Sequence, residues 1–285
     1  MPAITLGDGR TLAYEDLGAD DGEPVVLLHG APGSRLFSPD PAATQAAGVR
    51  LITFDRPGYG HSSPRLDRRV ADTATDVVAL LDHLGVARAA VVGWSGGGPF
   101  AVATAVHAAD RVSRLALVSA PGPLDEVPGG WEALGDYRRP TAEMARLEPH
   151  RSVRAVARHM VPFLADPASF LGRGIGPDGD VLRGPARSML VGQVTEALVQ
   201  GAEGIASDLV AMWLDWGFRL SAVGAPTTVF QAAADRHNHE DARCYASQIP
   251  EATLVVWEGV GHLGVVPRWG EVLATLGDHG QRLRH

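Results

Sequence analysis

The sequence predicts an α/β fold in which a mostly parallel sheet is covered by helices on both faces. Three observations carry that prediction. Short runs that are apolar at nearly every position recur along the chain, each followed by glycine or proline. Stretches with helical spacing fall between them. One region, about residues 121–220, keeps the helical spacing but offers no convincing strand. A strand with one wet face alternates polar and apolar residues, whereas one covered on both faces is apolar throughout, as in parallel sheets between helical layers.

Taken in order, "PVVLLHG" (Pro24–Gly30) and "VRLITFD" (Val49–Asp55) read as buried strands. From Val70 to Leu84 apolar residues fall at 70, 74, 77, 78, 81 and 84, which is helix spacing, and Gly85 is a plausible stop. "AAVVGW" (Ala89–Trp94) is the next strand and Phe100–Ala109 the next helix. Ala89 to Ala109 is uncharged over 21 residues, long enough to suggest a membrane span, but the Gly-Gly-Gly-Pro in its middle divides it into strand, turn and helix. "RLALVSA" (Arg114–Ala120), "PTTVFQAAAD" (Pro226–Asp235) and "ATLVVWEGVGH" (Ala252–His262) complete the strands, with a helix near Asp241–Gln248. The expected organisation is a core of residues 1–120 and 221–285, interrupted by a helical insertion over 121–220. Ligands of parallel α/β sheets bind at the carboxyl ends of the strands, and an insertion joining those ends would cover that face. No internal repeat is present.

Composition narrows the chemistry. The 285 residues are 45% hydrophobic and 20% charged, with a net charge of −8 and no basic stripe, so nucleic acid is not an expected partner. All 25 basic residues are arginine, which excludes a Schiff-base lysine and a P-loop. Cys244 is the single cysteine, so no intrachain disulfide or cysteine zinc cluster can form. The start, "MPAITLGDGR", lacks the charged-then-apolar pattern of a signal peptide, and the expectation is a cytoplasmic protein with no membrane partner. A homodimer is left open.

"GWSGGGPF" (Gly93–Phe100) places a serine between a buried strand and a buried helix. Gly93-Trp94-Ser95-Gly96-Gly97 matches G-x-S-x-G in the context that motif requires. A sharp strand-to-helix turn lifts the Ser95 hydroxyl into the open and aims the first N–H groups of the helix at the same spot. The Gly96 N–H is one candidate donor to a developing oxyanion. A second comes from "HGAPGS" (His29–Ser34): Pro32 has no N–H, so the Ala31 amide is the candidate. His29 and Trp94 are candidate substrate-facing residues, although His29 reads first as a residue that packs and hydrogen-bonds to shape its loop. Asp55 and Arg56, in "DRPGYGHSS", read as residues that tie their loop down.

A serine hydroxyl needs a base, and the base needs an orienting partner. His262, in the glycine-flanked "GVGHLG" after the last strand, is the best placed of 11 histidines. Asp235 ends its strand and is favoured as the acid over Asp125 and Glu126, which follow an earlier strand. His237 and His239 form H-x-H, but no third ligand stands out, so no metal site is expected.

Together these residues resemble the α/β-hydrolase fold superfamily. "HGAPGS", "DRPGYGHS", "GWSGGGP", Asp235 and "GHLG" follow its order and spacing over roughly Ile4 to Leu276. The chain is similar to the branch with a helical cap after the sixth strand, which includes proline iminopeptidase-like enzymes, esterases and non-haem haloperoxidase relatives. The resemblance implies an eight-stranded sheet, with Ser95 as nucleophile, His262 as base, Asp235 as acid and Ala31 and Gly96 as oxyanion donors, and no cofactor. Serine at position 95 argues against the epoxide hydrolase and haloalkane dehalogenase relatives, which carry aspartate there. "DRHNH" departs from the family pattern, in which a proline soon follows the acid. The expected activity is hydrolysis of an ester, lactone, thioester or amide of a small, largely apolar substrate through an acyl-enzyme. Acyl transfer or cyclisation on the same residues, an aminopeptidase variant using Glu132, Asp136, Glu143 or Glu148 to hold a substrate ammonium, and a non-catalytic ligand-binding protein are the alternatives.

Overall fold

The structure, a computed structural model, describes residues 1–172, 176–235 and 239–277. Eight strands form one sheet: β1 (Ala3–Thr5), β2 (Thr11–Gly18), β3 (Glu23–Leu28), β4 (Val49–Phe54), β5 (Ala89–Trp94), β6 (Val112–Val118), β7 (Thr227–Ala232) and β8 (Thr253–Trp257). Their order is β1-β2-β4-β3-β5-β6-β7-β8. β1 and β2 are antiparallel, as are β2 and β4; every other neighbouring pair is parallel. The parallel register sets Leu28 beside Gly93, Trp94 beside Val118, and Val118 beside Phe230. The chain segments that follow β3, β4, β5, β6, β7 and β8 therefore leave the sheet along one edge.

Side-chain alternation on the buried strands builds two cores. Val26 and Leu28 point to one face, where they join Phe54, Val91 and the helices α2 (Thr73–His83), α3 (Gly98–His107) and α10 (His239–Gln248). Val25 and Leu27 point to the other, with Phe37, Trp94, Trp257 and Trp269, under α1 (Pro41–Ala46) and α11 (Trp269–Ala274). The apolar spacing expected from Val70 begins as a 3-10 turn, Val70–Asp72, and continues into α2, whose Ala74, Val77, Leu80 and Leu81 are buried. Gly85 then takes φ +66°, a left-handed conformation that ends the helix as glycine readily does. α3 is apolar nearly all round because it is sandwiched: every residue from Gly98 to Ala105 is buried.

Among the described residues six helices stand between β6 and β7: α4 (Gly130–Ala133), α5 (Gly135–Leu147), α6 (Pro149–Ala165), α7 (Pro177–Arg183), α8 (Arg187–Ala197) and α9 (Glu203–Trp213). No strand lies among the described residues of this stretch. Helices α5, α6, α8 and α9 pack on one another through Ala142, Ala145, Val156, Val194, Ile205 and Trp213. That cluster also takes in Tyr59, from the segment after β4, and touches Ala31, from the segment after β3. The helices thus rest on the edge where the parallel strands end. No helix among the described residues is long and apolar enough to cross a membrane.

Candidate active site

The turn after β5 is possible only because helix and sheet come into near contact. A Cβ at Gly97 would lie 2.2 Å from the Leu28 carbonyl oxygen, and one at Gly98 would lie 2.2 Å from the Ala120 Cβ. With nothing larger than hydrogen there, α3 begins directly above the strand ends. Ser95 absorbs the change of direction, holding φ +50°, one of three non-glycine residues with positive φ among those described. Such a conformation is costly for a residue with a Cβ and persists where the surroundings enforce it. A Cβ at Gly96 would lie 3.2 Å from the Ala31 backbone nitrogen and 2.7 Å from its Cβ. The two amides expected to face an oxyanion are therefore neighbours.

His262 begins a 3-10 turn, His262–Val265, after β8. Its Nε2 lies 2.9 Å from the Ser95 Oγ and its Nδ1 lies 2.6 Å from an Asp235 carboxylate oxygen. Three residues separated by 140 and 27 positions in sequence thus form one line of hydrogen bonds. With Nδ1–H donating to the carboxylate, Nε2 presents its lone pair to the serine O–H. The Asp235 side chain is 3% exposed and that of His262 is 32% exposed. The carboxylate is therefore shielded from water where it meets the imidazole, while the imidazole keeps an open side. Asp125 is occupied elsewhere, pairing with Arg146 and accepting from the Trp131 indole N–H.

The two residues expected to face substrate, His29 and Trp94, are both buried. His29 is 1% exposed. Its Nδ1 lies 2.7 Å from the Gly30 carbonyl oxygen and its Nε2 accepts from the Arg56 backbone N–H at 3.3 Å. Burial, with the Arg56 guanidinium beside it, holds the ring well below the usual imidazole value, so it stays neutral with Nδ1–H donating. His29 shapes the loop that carries Ala31. Trp94 is buried as well: its ring stacks on Phe37 at 4.4 Å and its indole N–H donates to the His262 carbonyl at 3.3 Å. Both groups are spent on packing and on holding the loops around Ser95.

Arg56 and Asp55 tie down the neighbouring loops. Asp55 accepts from the Arg35 and His61 backbone N–H groups and pairs with the Arg35 guanidinium. Arg56 donates to the His29 and Gly30 carbonyls, and its other side meets Asp208 of α9 at 2.6 Å. Asp208 also accepts from Tyr59 at 2.8 Å and pairs with Arg68. All four side chains are buried. Two guanidinium groups share one carboxylate here, and burial lowers Arg56 to about 10 and Arg68 to about 9. The sequence carried a signal for this knot: Asp208 is the single charge between Ile205 and Met212, and a lone acid on an apolar helix needs a buried partner.

A second acid from the inserted helices had no such signal. Asp178 of α7 accepts from two successive backbone N–H groups, His262 at 3.1 Å and Leu263 at 2.8 Å. The four acids considered as ammonium partners, Glu132, Asp136, Glu143 and Glu148, all stand on exposed or half-exposed positions. Of the H-x-H pair, His239 meets the Asp235 carbonyl oxygen at 2.5 Å, and His237 lies outside the described residues, as do Arg236 and Asn238 of the "DRHNH" segment. Among the described residues no three His, Cys, Asp or Glu side chains gather as a metal site.

The sheet order, the strand-to-helix turn and the elements converging on its edge define the α/β-hydrolase fold. Residues 23–267 match the family described as alpha/beta hydrolase fold, and the chain belongs to that family. The chain is 31% identical over 265 residues to a 2-hydroxy-6-oxononadienedioate/2-hydroxy-6-oxononatrienedioate hydrolase of Pseudomonas putida, covering 88% of this chain and 85% of that protein. It is 34% identical over 118 residues to a proline iminopeptidase of Xanthomonas citri, covering 40% of this chain and 38% of that one. The chain spans between 38% and 44% of the length of four curated relatives of this kind. The crystal structure of a bromoperoxidase from Bacillus anthracis superposes with a TM-score of 0.73 at 21% identity, covering 96% of this chain and 99% of that chain; the likeness is one of fold.

Proposed function

We propose that the protein is a serine hydrolase that cleaves an ester, lactone, thioester or amide of a small, largely apolar substrate through an acyl-enzyme. The observation that carries this reading is the line Ser95–His262–Asp235, with contacts of 2.9 Å and 2.6 Å. His262 takes the Ser95 proton as Oγ attacks the carbonyl carbon. Asp235 holds the imidazole in the tautomer that can accept it and stabilises the resulting imidazolium. The Ala31 and Gly96 amides receive the oxyanion, a contribution of about 3–4 kcal/mol for a well-placed donor. His262 then protonates the leaving group, and the same histidine activates the water that releases the acyl group.

Two features support hydrolysis of an apolar substrate in particular. The exposed side of His262 gives water a route to the acyl-enzyme. The cluster that touches Ala31 presents the partly buried apolar side chains Leu124, Trp131, Met160 and Phe170. Every atom of the reaction is handled by side chains and amides of this chain, so the mechanism uses no cofactor.

Turnover of a panel of p-nitrophenyl esters by the wild type and by Ser95→Ala tests the reading. The variant should lose about 10³-fold or more in kcat, as removal of a nucleophile does. Undiminished turnover in the variant would overturn it.

A further inference from the structure

α7 carries a carboxylate to the backbone of the histidine loop. Asp178 precedes His262 by 84 positions, yet its two oxygens are divided between consecutive amides, one to His262 N and one to Leu263 N. These are the free N–H groups at the start of a 3-10 turn, which has no partner of its own for them. The contact also shapes the sequence beside it. A Cβ at Gly261 would lie 2.5 Å from one Asp178 carboxylate oxygen and 2.8 Å from the other, so only glycine leaves room for the acid.

We propose that Asp178 is a positioning residue for His262: it fixes the loop that presents the imidazole to Ser95, so alignment of Ser95, His262 and Asp235 depends on α7 being seated against the sheet. Three further contacts fit this role. The imidazole is held at Nδ1 by Asp235 and its carbonyl by the Trp94 indole, but its amide is held only by Asp178 among the described residues. Leu182, one turn along α7, packs in the same cluster as Trp94 and Leu263. The flank of α7 formed by Gly179, Leu182 and Arg183 borders a cavity of about 320 Å³ shared with Leu171, Arg187 and Val191. The seat of α7 is thus built on one side by Leu182 in the core beside Trp94, and a displaced α7 would reach the imidazole through Asp178. The inserted helices are thereby joined to both halves of the site, through Asp208 and Arg56 to the Ala31 loop and through Asp178 to His262.

This role rests on His262 acting as the base, and its test is chosen to separate the two. Asp178→Asn keeps the shape but only one carbonyl oxygen; Asp178→Ala removes both acceptors; Gly261→Ala keeps the acid and pushes it aside. For p-nitrophenyl ester turnover the expected result is a fall in kcat of about tenfold to a hundredfold for Asp178→Ala and Gly261→Ala, with KM changed less than about twofold. Asp178→Asn should lie between them and the wild type. Amide hydrogen exchange read at His262 and Leu263 should lose protection in the same order, a measurement that needs no turnover and stands even if the enzyme has another activity. Unchanged kcat together with unchanged protection in Asp178→Asn and Asp178→Ala would overturn the proposal. Equal falls in kcat and thermal stability with protection lost throughout the chain would also overturn it, since they would mark a merely structural contact.

Discussion

The Nδ1 of His262 and a carboxylate oxygen of Asp235 meet at 2.6 Å, although α10, β8 and the turn that follows stand within the 27 positions between the two residues. The carboxyl group is almost wholly buried and the ring is not. This contact fixes which ring nitrogen carries the proton. In Asp235→Asn the amide can donate to Nδ1 and force the wrong tautomer, leaving Nε2 protonated toward Ser95. The expected loss in kcat is about 10³- to 10⁴-fold. Steady-state kinetics on the most reactive ester, with circular dichroism to show the fold retained, check it; a loss under tenfold would place the orienting role elsewhere.

Asp208 answers two buried guanidinium groups at once. Truncating it leaves Arg56 and Arg68 without their carboxylate, and breaking a buried pair in this way costs about 3–5 kcal/mol. Asp208→Ala should show that loss in urea denaturation. A change below about 1 kcal/mol would mean that the two arginines find water or another acceptor.

His29 makes stability depend on pH. Its folded-state value is held well below the ordinary 6.5 by burial and by the Arg56 guanidinium. As pH falls below about 6.5 the unfolded chain binds a proton that the folded chain refuses, so stability drops with falling pH, by up to about 1.4 kcal/mol per pH unit. The effect is absent above that range, where both states are neutral. Urea denaturation at pH 7.5 and pH 5.5 should show His29→Gln losing less stability than the wild type over the interval. Equal losses would show that His29 protonates in the folded protein.

Gly97→Ala should damage both fold and activity. The added methyl meets the Leu28 and His29 carbonyl oxygens at 2.2 Å and 2.6 Å, and backbone of a central strand cannot step aside. Overpacking of this kind costs about 1–3 kcal/mol or more. Thermal unfolding and ester turnover should fall together. A Gly97→Ala enzyme of wild-type stability would mean that α3 does not press on β3 as described.

Most of the sheet was legible in the sequence because uniform burial writes a uniform apolar run. β5 occupies the full predicted span, Ala89–Trp94, and β3, β4, β6, β7 and β8 fall within a few residues of theirs. The first two strands were not read from the residues: β1 is three residues long, and β2, "TLAYEDLG", ends in half-exposed polar positions because it lies toward the open, antiparallel side of the sheet. Short α1 and α11, six residues each, were likewise too brief for a periodic signal. In the site, Ser95, Asp235 and His262 were legible because each stands just past a strand, and parallel strands end together. The packing role of Trp94 depends on burial that local sequence does not report, whereas the loop-shaping role of His29 was legible beside the glycine-proline turn it serves. Asp178 was silent for a different reason: its partners are backbone amides, which every residue but proline has, on a segment 84 positions away.

Intact-protein and peptide mass spectrometry after treatment with a fluorophosphonate probe examines the nucleophile without any choice of substrate. Wild type should carry one covalent phosphonate at Ser95; Ser95→Ala should carry none, and His262→Ala should label at least about a thousandfold more slowly. Failure of the wild type to label, or labelling of Ser95 at the same rate once His262 is removed, would contradict the account.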